Sequence, residues 1–184
     1  MRKKIFGKRM AVLLGCIIFG CVGLRAQNTF AEGDKVINLG IGLGTYSGKG
    51  YVTTVPPLSG SFEYGVKDHL FDDKSSLGVG GYLGYMADKI TFAPYEWKFN
   101  HLTIGARGAL HYQLIDKLDT YAGLMLGYET ISSTKYADQI SPISSGFSWA
   151  LFVGGRYYFS DKIGAFAELG YGIAALQLGI AIKL

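Results

Sequence analysis

From Lys35 to Leu184 the chain alternates, with nearly every second residue apolar in segment after segment and Gly, Ala, Ser, Thr or a charge between them. A period of two belongs to strands that keep one face in an apolar medium; an amphipathic helix would repeat about every 3.6 residues. Eight segments carry the pattern, at 36–46, 58–66, 76–86, 102–112, 120–128, 149–158, 163–171 and 176–184. The clearest is 163–171, where Ala165, Ala167, Leu169 and Tyr171 share one face and Phe166, Glu168 and Gly170 the other. The last sets Leu176, Leu178, Ile180, Ile182 and Leu184 against Gln177, Gly179, Ala181 and Lys183. Each segment is near the 9–11 residues that a tilted strand needs to cross a bilayer.

Which face meets which medium follows from residue size. The mixed parity is mostly small and holds a few charges, while the other parity holds the Leu and Ile. Eight strands close around an interior only wide enough for side chains, so the small and charged set fits inside and the bulky set faces lipid. The expected fold class is all-β, an eight-stranded antiparallel transmembrane β-barrel. Closure also removes the sheet edges, which could not be left unpaired in hydrocarbon. The inward charges are Glu63, Arg107, Arg156 and Glu168, and a dry lumen requires them to pair; adjacency of the last strands favours Arg156 with Glu168. Aromatics near the segment ends (Tyr46, Tyr64, Tyr85, Trp97, Tyr112, Tyr128, Trp149, Tyr157, Tyr171) suit interfacial girdles. Connections 67–75, 115–118 and 160–162 are compact and charged, whereas 47–57, 87–96 and 129–146 are longer, which places the chain ends on the periplasmic side.

Residues 1–26 read as a secretory signal peptide, with a basic stretch (MRKKIFGKRM), an apolar stretch (AVLLGCIIFGCVGL) and a small-residue site at Ala26. Residues 27–184 then form the barrel domain. The leader holds both cysteines and six of the 18 basic residues, leaving 12 against 14 acidic ones. The mature chain is therefore slightly acidic, without a disulfide or thiol site, and the electrostatic case for a nucleic-acid partner is gone.

The run Gly60-Ser61-Phe62-Glu63-Tyr64-Gly65-Val66, with Ser76-Leu77-Gly78-Val79-Gly80-Gly81-Tyr82-Leu83-Gly84-Tyr85 after it, resembles the second and third strands of small outer-membrane barrels of the opacity-protein and OmpX type. Within that group it looks most like the porin-family proteins of Bacteroidetes-like bacteria. The endings Gly154-Gly155-Arg156-Tyr157-Tyr158-Phe159 and Ala165-Phe166-Ala167-Glu168-Leu169-Gly170-Tyr171-Gly172 resemble its sixth and seventh strands. The resemblance implies the outer membrane of a Gram-negative envelope as location, with outer-membrane lipids as surroundings. It also implies periplasmic chaperones and the barrel-insertion machinery as assembly partners, and a monomer. Such proteins usually end in an aromatic residue, where this sequence has Leu184.

The leading function is a non-enzymatic, structural or surface-interaction role through the outer loops, with any external or envelope partner left open. No catalytic, cofactor-binding or metal residue is assigned. The glycines from Gly40 to Gly50 lead into no helix, and His69, His101 and His111 have no HExxH spacing. One alternative is an outer-membrane lipid-modifying hydrolase or acyltransferase. That chemistry needs a serine about 3 Å from an oriented base, and the candidates are His101, Ser132, Ser133, Ser144 or Ser145, and Glu96 or Glu129. A narrow channel is the other alternative, which inward Tyr82, Tyr121, Met125, Phe152 and Phe166 would obstruct.

Overall fold

The computed structural model describes residues 29–134, 145–172 and 174–184. The expected leader (1–26) and the loop positions Lys135, Tyr136 and Ser144 lie outside the described residues. Eight strands follow in chain order: β1 (Lys35–Leu43), β2 (Tyr51–Asp68), β3 (Ser75–Phe92), β4 (Tyr95–Ile115), β5 (Leu118–Thr134), β6 (Ser145–Tyr158), β7 (Ile163–Tyr171) and β8 (Leu176–Lys183). Each pairs antiparallel with the next, and β8 returns to β1, closing the barrel. No sheet edge is left open within the wall.

The parity holds in every strand. Leu39, Leu83, Ile104, Leu126, Leu151, Leu169 and Ile180 point outward and are exposed, while Asn38, Glu63, Arg107, Asp119, Arg156, Glu168 and Gln177 point inward and are buried. This is the reverse of a water-soluble barrel, and it follows from surrounding the wall with hydrocarbon. Outward aromatics form two belts. Tyr64, Tyr112 and Tyr157 lie towards the short-turn end, and Tyr46, Tyr85, Tyr128, Trp149 and Tyr171 towards the other. Between Tyr112 and Leu102 the β4 outer face stays apolar, and ten residues at about 3.3 Å each, tilted about 40°, span roughly the 25 Å of a lipid band.

Strands β2 to β6 run further outward than the apolar pattern predicts. The segment 87–96, expected as a loop, is the end of a long β3–β4 hairpin that turns at Ala93–Pro94. Its outward residues Lys89, Glu96 and Lys98 are charged, so pairing continues after the lipid-facing signal has stopped. Trp97 is not a girdle residue: it pairs opposite Ile90 on this extension. The other three walls stay low, with 9 residues in β1, 9 in β7 and 8 in β8, against 21 in β4. The outer rim is thus oblique, tall at β3, β4 and β5 and low at β7, β8 and β1, which lie across the ring from them.

At the opposite end a short segment before β1 folds back under the barrel. Gly33, at φ 88°, makes the left-handed turn that lets its N–H reach Gly65 O at 2.9 Å, and Gly65 N–H donates to Asp34 O at 2.9 Å. Thr29 N–H donates to Gln113 Oε1 at 3.1 Å and Ser76 Oγ to Phe30 O at 2.9 Å. Phe30 is thereby buried, packed with Val36 and Ala181.

Candidate functional site

The lumen is filled in layers. Above Phe30 lies a closed ring of four charged side chains. Arg156 donates through Nη1 to Asp119 Oδ2 at 2.9 Å and through Nη2 to Glu63 Oε2. His111 completes the circuit, with Nε2 2.8 Å from Glu63 Oε1 and Nδ1 2.9 Å from Asp119 Oδ1. Both ring nitrogens face carboxylate oxygen, and hydrogen bonds to both require the imidazolium form. A second group adjoins the ring: Arg107 Nη2 donates to Glu168 Oε2 at 2.9 Å, and Tyr121 Oη donates to the same oxygen at 3.1 Å. Arg156 also lies over Tyr121, its guanidinium carbon 4.5 Å from the ring centre, and Arg107 over Phe152 at 4.0 Å. With His111 charged, three cations balance three carboxylates, which is what a dry interior demands.

The expected Arg156–Glu168 pair does not form. Register places Arg156 opposite Phe166 and Glu168 opposite Gly154, so Glu168 sits further outward and meets Arg107 of β4. Asp119 and His111 are the members that sequence reasoning did not assign to the plug. Both occupy the inward parity of their strands, and that parity was the available signal. The next layer outward is apolar: Tyr82, Ala109, Tyr121, Met125, Ala150 and Phe152 pack into one buried cluster. Small residues make the room. A Cβ on Gly154 would lie 2.7 Å from the Tyr121 ring, and one on Gly78 would lie 2.7 Å from Glu63 Oε1.

Beyond this layer a vestibule opens to the outer side, a cavity of about 160 Å³ lined by Tyr46, Tyr85, Met86, His101, Thr103 and Glu129 among others. His101 Nδ1 is 3.0 Å from Glu129 Oε1, and its Nε2 is 3.5 Å from Asp88 Oδ2. Ser47 Oγ donates to that Asp88 oxygen at 2.7 Å. Of the expected hydrolase elements, the structure therefore brings together His101 and Glu129. Glu96 instead pairs with Lys89 at 2.8 Å and Lys98 at 3.6 Å. Ser132 and Ser145 face outward, and the buried Ser133 Oγ has no hydrogen-bond partner. Among the described residues no serine hydroxyl is hydrogen-bonded to His101. No group of three or more His, Cys, Asp or Glu among them could hold a metal ion.

No protein-family model and no curated protein sequence matches this chain. Solved structures do. OprG, an outer-membrane protein of Pseudomonas aeruginosa, is 11% identical over 86% of this chain and 99% of its own, with a TM-score of 0.57. The attachment invasion locus protein Ail of Yersinia pestis, solved with the heparin analogue sucrose octasulfate, is 15% identical over 83% and 96%, with a TM-score of 0.53. The N-terminal β-barrel domain of Pseudomonas aeruginosa OprF is 13% identical over 84% and 100%, with a TM-score of 0.50. The fold is that of small outer-membrane barrels. At these identities the likeness concerns the wall, and the residues that fill this lumen must be interpreted from their own chemistry.

Proposed function

We propose that this chain is a non-enzymatic barrel of the Gram-negative outer membrane, delivered by the leader 1–26, with a structural or surface-interaction role at its outer end. The observation that carries the reading is the inverted wall: an exposed Leu and Ile exterior around a buried, charge-balanced interior. The opacity and OmpX group, and the porin-family proteins of Bacteroidetes type within it, are the proposed relatives; "porin" then describes form alone. The apolar layer at Tyr82, Met125 and Phe152 and the ion ring beneath it support a lumen closed to solutes. Periplasmic chaperones and the insertion machinery are the proposed assembly partners, and the barrel is proposed to act as a monomer.

The outer end is where recognition can vary at little cost to a rigid wall. It comprises the connection 44–50, the β3–β4 hairpin extension and the connection after β5. In Ail the bound molecule is a heparin analogue. Here the vestibule lining carries Glu129 and no Lys or Arg, which disfavours a polyanion at that position. The test is expression of the precursor in a Gram-negative host, electrophoresis of outer membranes with and without boiling, and conductance in planar bilayers. The expected result is a heat-dependent mobility shift and electrical silence. A soluble periplasmic product with no shift would overturn the membrane reading, and steady conductance would overturn the sealed lumen.

A further inference from the structure

The segment before β1 crosses the mouth of the lumen from wall to wall. β4 and β8 stand opposite each other in the ring of eight strands. Thr29 bridges them: its N–H donates to Gln113 Oε1 at 3.1 Å, and its C=O accepts from Lys183 Nζ at 3.3 Å. The Lys183 ammonium also meets Asp34 Oδ2 at 2.7 Å. Ser76 of β3 donates to Phe30 O, and Gly65 of β2 exchanges backbone hydrogen bonds with Gly33 and Asp34. The Phe30 ring packs on Val36 of β1 and Ala181 of β8, and so lies across the seam where the first strand meets the last. Residues 29–34 thus touch β1, β2, β3, β4 and β8.

We infer that residues 29–34 are a latch that docks only on a closed barrel and then holds the β1–β8 seam shut. Every other seam joins strands that follow one another in the chain, whereas β1–β8 joins the two ends. It therefore encloses the longest stretch of chain and carries the largest closure entropy. Before it forms, β1 and β8 are the edges of an open sheet, seven spacings of about 4.8 Å or roughly 34 Å apart. Asp34 adjoins Lys35, the first residue of β1, and cannot reach Lys183 across that distance. Once the seam sets Val36 opposite Lys183, and Leu184 N–H donates to Lys35 O at 3.0 Å, the ammonium stands beside both Asp34 and Thr29 O. Closure itself completes the receptor for the segment. Docking in turn resists reopening, because parting the seam must break the Lys183 contacts and draw Phe30 out from between Val36 and Ala181. The latch depends on the closed wall alone and holds whatever the outer end recognises.

The experiment separates folding from unfolding. A contact formed after the rate-limiting closure slows unfolding and leaves the folding rate unchanged. Refolding from urea into detergent micelles is followed by the gain of the heat-dependent mobility shift, and unfolding in urea by its loss. Phe30→Ala is expected to unfold about a hundredfold faster and Lys183→Met about tenfold faster, both folding at the wild-type rate. In pulsed hydrogen exchange during refolding, the Gly33 amide, which donates to Gly65 O, should gain protection after the amides of the β1–β8 seam. The inference is overturned if either variant slows folding in proportion to its loss of stability, if Phe30→Ala no longer closes, or if Gly33 is protected ahead of the seam. Each of those results would make the segment a guide for closure. Unchanged unfolding in both variants would overturn it as well, by showing that the seam holds without the latch. The wild-type mobility shift reports on the barrel reading by itself, so failure of the latch leaves that reading standing.

Discussion

Phe30 lies face to face on His111, their ring centroids 4.0 Å apart and their planes 22° from parallel. The contact joins the segment before β1 to the ion ring and closes the lumen from below. Phe30 is 4% exposed, so the ion ring above it sees protein where water would otherwise reach Glu63 and Asp119. Replacing it with alanine removes both the packing and the seal. Phe30→Ala should destabilise the barrel by about 3 kcal/mol, read as a lower urea midpoint in detergent, with Thr29→Ala as a milder control.

The ring predicts a dependence on charge balance. Arg156→Leu leaves Glu63 and Asp119 sharing one cation, His111, and should cost about 3–5 kcal/mol. The double variant Glu63→Gln with Arg156→Leu removes one charge of each sign and keeps Asp119 beside His111. Its cost should be smaller than that of Arg156→Leu alone. A double-mutant cycle on the unfolding midpoints checks this, and strict additivity would count against the ring acting as a unit.

Two glycines on one strand separate inward from outward. A Cβ at Gly78 would meet Glu63 Oε1 at 2.7 Å and His111 Nε2 at 2.9 Å, whereas at Gly81 its nearest neighbour is Gly105 O at 4.0 Å. Gly78→Ala should cost about 1–3 kcal/mol by displacing the ring. Gly81→Ala should leave the unfolding midpoint nearly unchanged or slightly raised, since it fills open space on the lipid face.

In the turn after β2, His69 Nδ1 lies 3.0 Å from Asp68 Oδ1, and that hydrogen bond and charge raise the imidazole above its ordinary value of 6.5. A folded value raised above the unfolded one stabilises the turn at low pH, and this contribution is lost as pH rises through the raised midpoint. In the same turn Asp72, which accepts from Lys74 N–H at 3.0 Å, is lowered below its ordinary 3.8, so its contribution is lost as pH falls. NMR titration should find the His69 midpoint above that of free histidine, and Asp68→Asn should return it.

Alternation in the sequence was enough to count eight strands and to assign Leu39, Ile104 and Ile180 outward and Glu63 and Arg156 inward, because a two-residue period and a lipid exterior leave no other assignment. Pairing inside the lumen was not legible. Neighbouring strands suggested Arg156 with Glu168, but partners in a narrow lumen are set by register and by reach across it, and Arg156 finds Asp119 of β5 and Glu63 of β2 instead. The outer extensions were also hidden. Lys89, Glu96 and Lys98 interrupt the apolar parity where the lipid ends, yet the backbone continues to pair as far as Phe92 and Tyr95. At the vestibule, Glu129 was one of two acids considered for His101, and nothing in the linear order could favour it over Glu96 before the register set it on the neighbouring strand.

The interlocked charges of Glu63, Asp119, Glu168, Arg107, His111 and Arg156 sum to zero when His111 is an imidazolium. An electrical potential across the membrane does work only on charge that can be displaced along it. A Donnan potential set up by periplasmic polyanions would therefore pull equally in both directions on this group, and the plug would stay in place while the voltage changed.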